Sequence, residues 1–262
     1  MTRRVRQIED PASYRLAPPQ VAEGWESPIG MLRYIAGLMV DLLVDIGTGK
    51  IRITRFGFHS CRFSVASVGE VEGGPLESAR AALEIAHSPW RYLPLRNAVV
   101  LDVGAFIGDS ALLFVAMGAQ RVYAYEPSRR YFDLARRNLF LKDNVVLRNL
   151  AVGGTLRRAK LSGFLMGKHL SVDGMEEVDV LSARDVIESI VRTEGRIDLI
   201  KLDCEGSEHE IIENLTKSDL GHVSSICLEM HGSASDRARL TSRIVSLGFK
   251  QTRSGSYFTR SS

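Results

Sequence analysis

The chain has 262 residues, 45% hydrophobic and 25% charged, with 34 basic and 31 acidic side chains and a formal charge of +3. That balance fits one large globular unit, or one with an N-terminal extension; it excludes a disordered chain and supplies no basic excess suited to nucleic acid. Cys61, Cys204 and Cys227 are too few and too scattered for a disulfide framework or a four-cysteine zinc site, so the expected compartment is reducing, the cytoplasm.

The N-terminus, MTRRVRQIEDPASY, is basic, but no apolar core follows it and it does not read as a secretory signal. Residues 1–30 are polar and proline-bearing and are expected to be an extended lead-in. Residues 31–46, MLRYIAGLMVDLLVDI, predict an apolar helix stopped by Gly47. It is shorter than the roughly 20 residues that span a bilayer and contains Arg33 and Asp41, so it is read as core-facing or dimer-facing. Residues 51–54 and 58–65, rich in β-branched and aromatic side chains around Gly57, predict a hairpin. Residues 75–86 have helical spacing at Leu76, Ala79, Leu83 and Ala86, ended by Ser88-Pro89. Residues 1–95 are therefore read as an N-terminal extension. A cap over a sheet, a substrate wall and a homodimer element all remain open for it.

From residue 99 strand and helix alternate, which predicts an α/β unit over 96–262 with a mostly parallel sheet. Its first part, residues 99–127, reads VVLDVGAFIGDSALLFVAMGAQRVYAYEP. An apolar strand leads into a turn carrying Gly104 and Gly108, a helix follows, and a second strand closes on Glu126 and Pro127. An acid ending the second strand is placed to accept hydrogen bonds from both hydroxyls of a ribose. The turn lacks the GxGxxG spacing that accommodates a pyrophosphate. Asp102 and Asp109 flank it and would repel a pyrophosphate, but they suit a ligand carrying an amino group and a sulfonium charge.

A helix is expected over 128–141 and a third strand over 145–152, ending at Gly153-Gly154. Residues 155–181 break the alternation and predict a small antiparallel insertion. A helix capped by Ser182 follows, then a strand over 197–202, IDLIKL, that delivers Asp203 and Glu205 to its carboxyl end. A helix from Glu205, a strand over 224–231 and a helix over 234–247 come next. In the strand, Glu229 and His231 alternate and so point the same way. Residues 250–253 and 257–260 form a closing hairpin. A nicotinamide-binding domain would continue with parallel strands, whereas an antiparallel ending fits the class I methyltransferase sheet.

Three groups carry candidate chemistry. The glycine turn with Glu126 would hold an adenosine-containing cofactor. Asp203 and Glu205 are candidate catalytic residues, with His231 the first candidate for a base that takes a hydroxyl proton near neutral pH. If the strand tips converge, Asp203, Glu205, Glu229 and His231 would also suit a divalent metal.

The assembled text resembles the FkbM family of S-adenosylmethionine-dependent methyltransferases: LDVGAFIGDSALLF, YAYEPSRRYFDLARRNL, NLAVG, VDVLSARDVI, IDLIKLDCEGSEHEII and LEMHG, in that order over about residues 97–232. The resemblance implies a class I (Rossmann-like) fold, S-adenosyl-L-methionine as cofactor and methyl transfer to an oxygen of a small molecule or sugar. It implies that Asp102, Gly104, Ala105, Phe106, Gly108, Asp109 and Ser110 surround the methionine part, that Glu126 and Pro127 meet the ribose, and that Asn149 and Ala151 border the adenine, with Asp203 nearby. Phe106 stands where the family often has asparagine. Two other readings remain open. A nucleic-acid methyltransferase is disfavoured because the [ND]PP[YF] tetrapeptide of amine methylation is replaced by DCEG; the other is a cofactor-binding module without catalysis.

Overall fold

The computed structural model describes residues 28–56, 61–65, 68–87, 90, 93–163, 169–171, 174–252 and 255–260. The expected lead-in up to residue 27, the Phe58 end of the first hairpin, and the Ser88-Pro89 stop lie outside the described residues.

The first helix, α1 (Pro28–Gly47), begins three residues before the apolar run, on a proline whose fixed φ suits a helix start. It leads into β1 (Ile51–Arg55) and β2 (Cys61–Val65), which pair antiparallel as expected. A third strand that the sequence left unassigned, β3 (Gly69–Gly73), pairs with β2. Next comes α2 (Pro75–His87), an alanine-rich helix. Ala79, Ala81, Ala82 and Ala86 are all buried, so it fits between the small sheet and the helices of the larger one.

From there the chain runs β4 (Val99–Val103), α3 (Asp109–Ala116), β5 (Arg121–Tyr125), α4 (Arg129–Asn138), β6 (Val145–Arg148), β7 (Ala151–Gly153), β8 (Arg157–Ser162), β9 (His169–Ser171), β10 (Glu176–Ser182) and α5 (Ala183–Glu194). It ends with β11 (Leu199–Leu202), α6 (Ser207–Asn214), β12 (Ser225–Leu228), α7 (Ala234–Ser246), β13 (Phe249–Gln251) and β14 (Tyr257–Arg260). The large sheet has the order β13-β14-β12-β11-β4-β5-β6. Only β14 runs antiparallel to its neighbours, β12 and β13, among the described strands of this sheet. The expected mostly parallel sheet with an antiparallel ending is what forms. Side chains of β4 alternate between two cores. Val100 packs with α2, α3 and α4, while Val99, Leu101 and Val103 pack with α5, α6 and α7.

The winding reverses between β4 and β11. At such a reversal the loops leaving two neighbouring strands diverge and open a crevice at their carboxyl ends. That crevice is bounded by the Gly104 turn on one side and Asp203 on the other.

Three boundaries differ from expectation. The third strand stops at Arg148, because the Asn149 side-chain amide donates to the carbonyls of Glu126 and Pro127 (3.0 and 2.9 Å) and turns the chain. Residues 151–153 then join the antiparallel insertion as β7, in a separate sheet of order β7-β10-β8-β9. The strand expected to reach His231 ends at Leu228, whose N–H bonds the Ser256 carbonyl before β14 begins; past it that edge has no strand to pair with. The helix expected from Glu205 starts at Ser207, after a turn that holds Glu205 and Gly206 left-handed.

One side chain ties the small sheet to the large one. Asn138, at the end of α4, exchanges hydrogen bonds with the Glu72 backbone of β3 (2.9 Å each) and donates to the Ile107 carbonyl in the glycine turn (2.8 Å). Asn138→Ala leaves these backbone groups without their partner. It is expected to cost about 1–3 kcal/mol in urea unfolding, with an unchanged slope.

Candidate active site

The floor of the crevice is set by register. Lys201 of β11 lies opposite Asp102 of β4. Both alternate onto the same face, and both are fully buried. The Lys201 ammonium meets Asp102 Oδ1 at 3.1 Å, Asp203 Oδ2 at 3.4 Å and the Gly104 carbonyl at 2.8 Å. Burial works to lower the Lys201 pKa, but Asp102, Asp203 and two more distant acids outweigh it and hold the group well above its usual value. Asp102 is completed by the Ser110 hydroxyl, which donates to Oδ2 at 2.6 Å.

Above this floor the backbone turns at Gly104, with φ +81°. A Cβ there would lie 1.8 Å from the Asp203 carbonyl oxygen, so only glycine fits. Gly108 also has positive φ, and its missing Cβ leaves room for Leu139. Phe106 adopts φ +47°, where asparagine is tolerated more readily than an aromatic residue. Its ring packs edge-on against Tyr131, with centroids 4.7 Å apart. The Phe106 N–H donates to Glu126 Oε2 (2.9 Å), and the Ser128 N–H donates to Oε1 (2.8 Å). The buried Glu126 carboxylate is thus fixed by two backbone amides, while Asn149 pins the peptide bonds on either side of Pro127.

The resulting cleft opens to solvent, with about 790 Å³ of empty volume when its mouth is included. Of the residues singled out in the sequence, Gly104, Phe106, Asp109, Ser110, Glu126, Pro127, Ala151, Asp203 and Glu205 line it. Asp102, Ala105, Gly108, Asn149 and His231 do not line it. Several lining groups were missed. Arg80 and Glu84 reach in from α2, Lys201 forms part of the floor, Tyr131 comes from α4, and Leu161 and Leu170 from the insertion. Lys201 had a legible signal, the one charge within the apolar strand LIKL. Arg80 and Glu84 had none beyond their helical spacing.

Acidic side chains outnumber basic ones in the lining of the cleft. The Asp109 carboxyl is buried, and burial together with Glu84 pushes its pKa well up. Its Oδ1 has no hydrogen-bond partner. At the far side, Glu205 has φ +53°, an uncommon conformation for glutamate and the kind of local strain found at functional sites. Burial raises its pKa to about 7, against the pull of Arg80 and His231. His231 Nε2 lies 3.4 Å from Glu205 Oε2 and 4.0 Å from Glu229 Oε1, and Nδ1 lies 3.4 Å from Glu208 Oε1. Burial opposes protonation of this imidazole, but Glu208, Glu205 and Glu229 outweigh it and raise its pKa to about 9. Burial, with Asp203 close by, raises Glu229 to about 8. Glu208 is fully buried and accepts the N–H groups of Cys204 and Gly206 (2.7 and 2.8 Å). Glu229 and His231 therefore do meet, although beyond the strand. Among the described residues, no group of three or more His, Cys, Asp or Glu side chains is arranged to hold a metal ion.

A sheet of this order with one antiparallel strand, a glycine turn after its central strand and an acid ending the next defines a class I methyltransferase. The methyltransferase FkbM domain description matches residues 102–251, more than half of the chain, and the protein belongs to that family of S-adenosylmethionine-dependent methyltransferases. Solved structures with a similar fold include the precorrin 8w decarboxylase of Methanobacterium thermoautotrophicum (20% identity over 60% of this chain and 66% of that one, TM-score 0.38). An S-adenosylmethionine-dependent methyltransferase of Agrobacterium tumefaciens (13%, 72% and 59%, 0.45) and the fibrillarin pre-rRNA processing protein of Methanococcus jannaschii (11%, 80% and 97%, 0.44) are further examples. The chain spans under two thirds of the length of the first two. No curated protein matches it. No helix among the described residues is long and apolar enough to cross a membrane.

Lys201→Met removes the cation but keeps the side-chain length, leaving Asp102 and Asp203 buried without it. Chemical denaturation is expected to show a loss of about 3–5 kcal/mol, partly recovered when Asp102→Asn is added.

Proposed function

We propose that this methyltransferase acts on a hydroxyl oxygen of a small molecule or sugar, in the cytoplasm, with Glu205 as the base. The residues of the cleft fit S-adenosylmethionine. The unpartnered Asp109 Oδ1 and the excess of acids suit a ligand with an ammonium and a sulfonium charge. Glu126, fixed by the Phe106 and Ser128 amides, lines the cleft with a carboxylate, the group that accepts hydrogen bonds from ribose hydroxyls. When bound, the cofactor supplies a methyl group already activated by its sulfonium, so the protein has two tasks: to orient an acceptor oxygen and to remove its proton.

The observation that carries the assignment is the state of Glu205. It lines the cleft, is held left-handed by its turn and has a pKa of about 7, near the value at which a base is both deprotonated and able to take a proton. His231 was the first candidate from sequence. With a pKa of about 9 it is an imidazolium at neutral pH, and it lies behind Glu205. Its role is positional: Glu208 holds one ring nitrogen, and the other steadies the Glu205 carboxylate. Enzymes that methylate exocyclic amines carry [ND]PP[YF] after this strand. Here Asp203-Cys204-Glu205-Gly206 presents two acids, which suits removal of a proton from a hydroxyl.

Calorimetry with S-adenosylhomocysteine is expected to show binding by the purified protein, weakened by Glu126→Ala by about 1–3 kcal/mol. Absence of binding to the wild type would overturn the cofactor assignment. With an acceptor found by screening hydroxylated small molecules, kcat is expected to rise with pH through about 7, because the deprotonated Glu205 is the active form. Glu205→Gln should lower kcat by at least about 100-fold and remove that limb. A profile still rising through 7 in Glu205→Gln would rule this base out.

A further inference from the structure

The family match begins at residue 102, yet two side chains that line the cleft come from α2, well before it. Arg80 and Glu84 stand one helical turn apart, with Arg80 Nε 3.7 Å from Glu84 Oε2. The Arg80 guanidinium also lies 5.9 Å from the Phe106 ring centroid, beside the glycine turn. Both side chains are half-buried, so their charges act in a partly desolvated space.

Resting on the reading of this cleft as the cofactor site, we propose that Arg80 and Glu84 form a clamp for the zwitterionic amino-acid end of S-adenosylmethionine. Arg80 takes the α-carboxylate, and Glu84 with Asp109 faces the α-ammonium.

Four observations converge on this assignment. First, an α-carboxylate in the cleft needs a cationic partner, and the described residues lining it include two cations, Lys201 and Arg80. Lys201 is 1% exposed and already shared among Asp102, Asp203 and the Gly104 carbonyl. Second, the N-terminus of α3, the usual backbone site for an anion, carries the buried Asp109 carboxyl in its first turn, which an α-carboxylate would have to approach. Third, Asp109 Oδ1 is buried without a hydrogen-bond partner, as expected of a carboxylate that meets a donor only when a ligand arrives. Fourth, Glu84 is close enough to Asp109 to raise its pKa, so the two acids share one locality into which a single ammonium can fit. The cleft thus has a guanidinium and two carboxyl groups side by side; burial favours a proton on these carboxyls, and an arriving α-ammonium would draw them into the charged form that complements it. A planar guanidinium is also the side chain best shaped to hold a carboxylate by two hydrogen bonds. On this account α2 is part of the cofactor site, and residues before the family-matched segment set cofactor affinity.

The test measures binding by calorimetry with four probes: S-adenosylhomocysteine, its decarboxylated analogue, its deaminated analogue and 5′-methylthioadenosine, which lacks both charges. Wild-type protein is expected to bind S-adenosylhomocysteine at least about tenfold more tightly than the decarboxylated analogue, the range of a hydrogen bond to a charged group. Arg80→Gln is expected to abolish that preference while leaving 5′-methylthioadenosine affinity within about twofold. Glu84→Gln is expected to weaken S-adenosylhomocysteine and leave the deaminated analogue unchanged. Wild-type protein that binds the homocysteine and decarboxylated forms equally would overturn the clamp, with no variant needed. So would Arg80→Gln that weakens S-adenosylhomocysteine and 5′-methylthioadenosine to the same degree, or neither. If the wild type binds none of the four, it is the cofactor reading of the cleft that fails.

Discussion

A single ammonium group under the glycine turn joins the two strands on which the whole cleft depends. Lys201 and Asp102 face each other across β4 and β11, where the winding of the sheet reverses. Burying a lysine costs several kcal/mol unless close acceptors replace its water. Here two carboxylates and a carbonyl do so, and the arrangement holds only in one register. A slip of one residue would turn Lys201 into the opposite core, among Leu101, Ile200 and Leu202. The pair therefore stabilises the floor and at the same time fixes Gly104 and Asp203 relative to each other. That spacing is so tight that a methyl group at Gly104 would overlap the Asp203 carbonyl.

From this floor the cleft divides by charge. On the glycine-turn side are Asp109, Glu84 and Arg80, a setting for a ligand with both signs of charge. On the far side are Glu205, Glu229 and His231, whose pKa values are spread from about 7 to about 9. At neutral pH this side holds one imidazolium behind a carboxylate that titrates near pH 7. Two groups whose environments push their pKa values apart are suited to different roles, and this supports the proposal that Glu205 is the base and His231 the group that steadies it.

Much of the fold was legible in the sequence. Near-continuous apolar runs marked the buried parallel strands, and their alternation with helices marked the sheet. The Gly104–Gly108 spacing, with Glu126 ending the next strand, marked the turn and the acid that form one wall of the cleft. Boundaries failed where a side chain remote in sequence redirects the backbone. Asn149 ends β6 by reaching back to Glu126 and Pro127, and no local preference announces that. Glu205 reads as a helix residue by propensity, yet it is left-handed because Glu208 gathers the amides of Cys204 and Gly206 into a turn.

By itself, the sequence determined the elements, the glycine turn and the acid that follows it, because each is a pattern contained within about 30 residues of chain. The tertiary structure alone decided what meets across the cleft. The contact between Lys201 and Gly104 spans 97 positions, and the packing of α2 brings Arg80 and Glu84 to the turn on the far side of β4. Such meetings depend on strand register and helix packing, which are properties of the whole sheet. The stretch 99–127 thus carries the glycine turn and its acid within one local pattern, whereas the convergence of α2, β4 and β11 shapes the cleft around them.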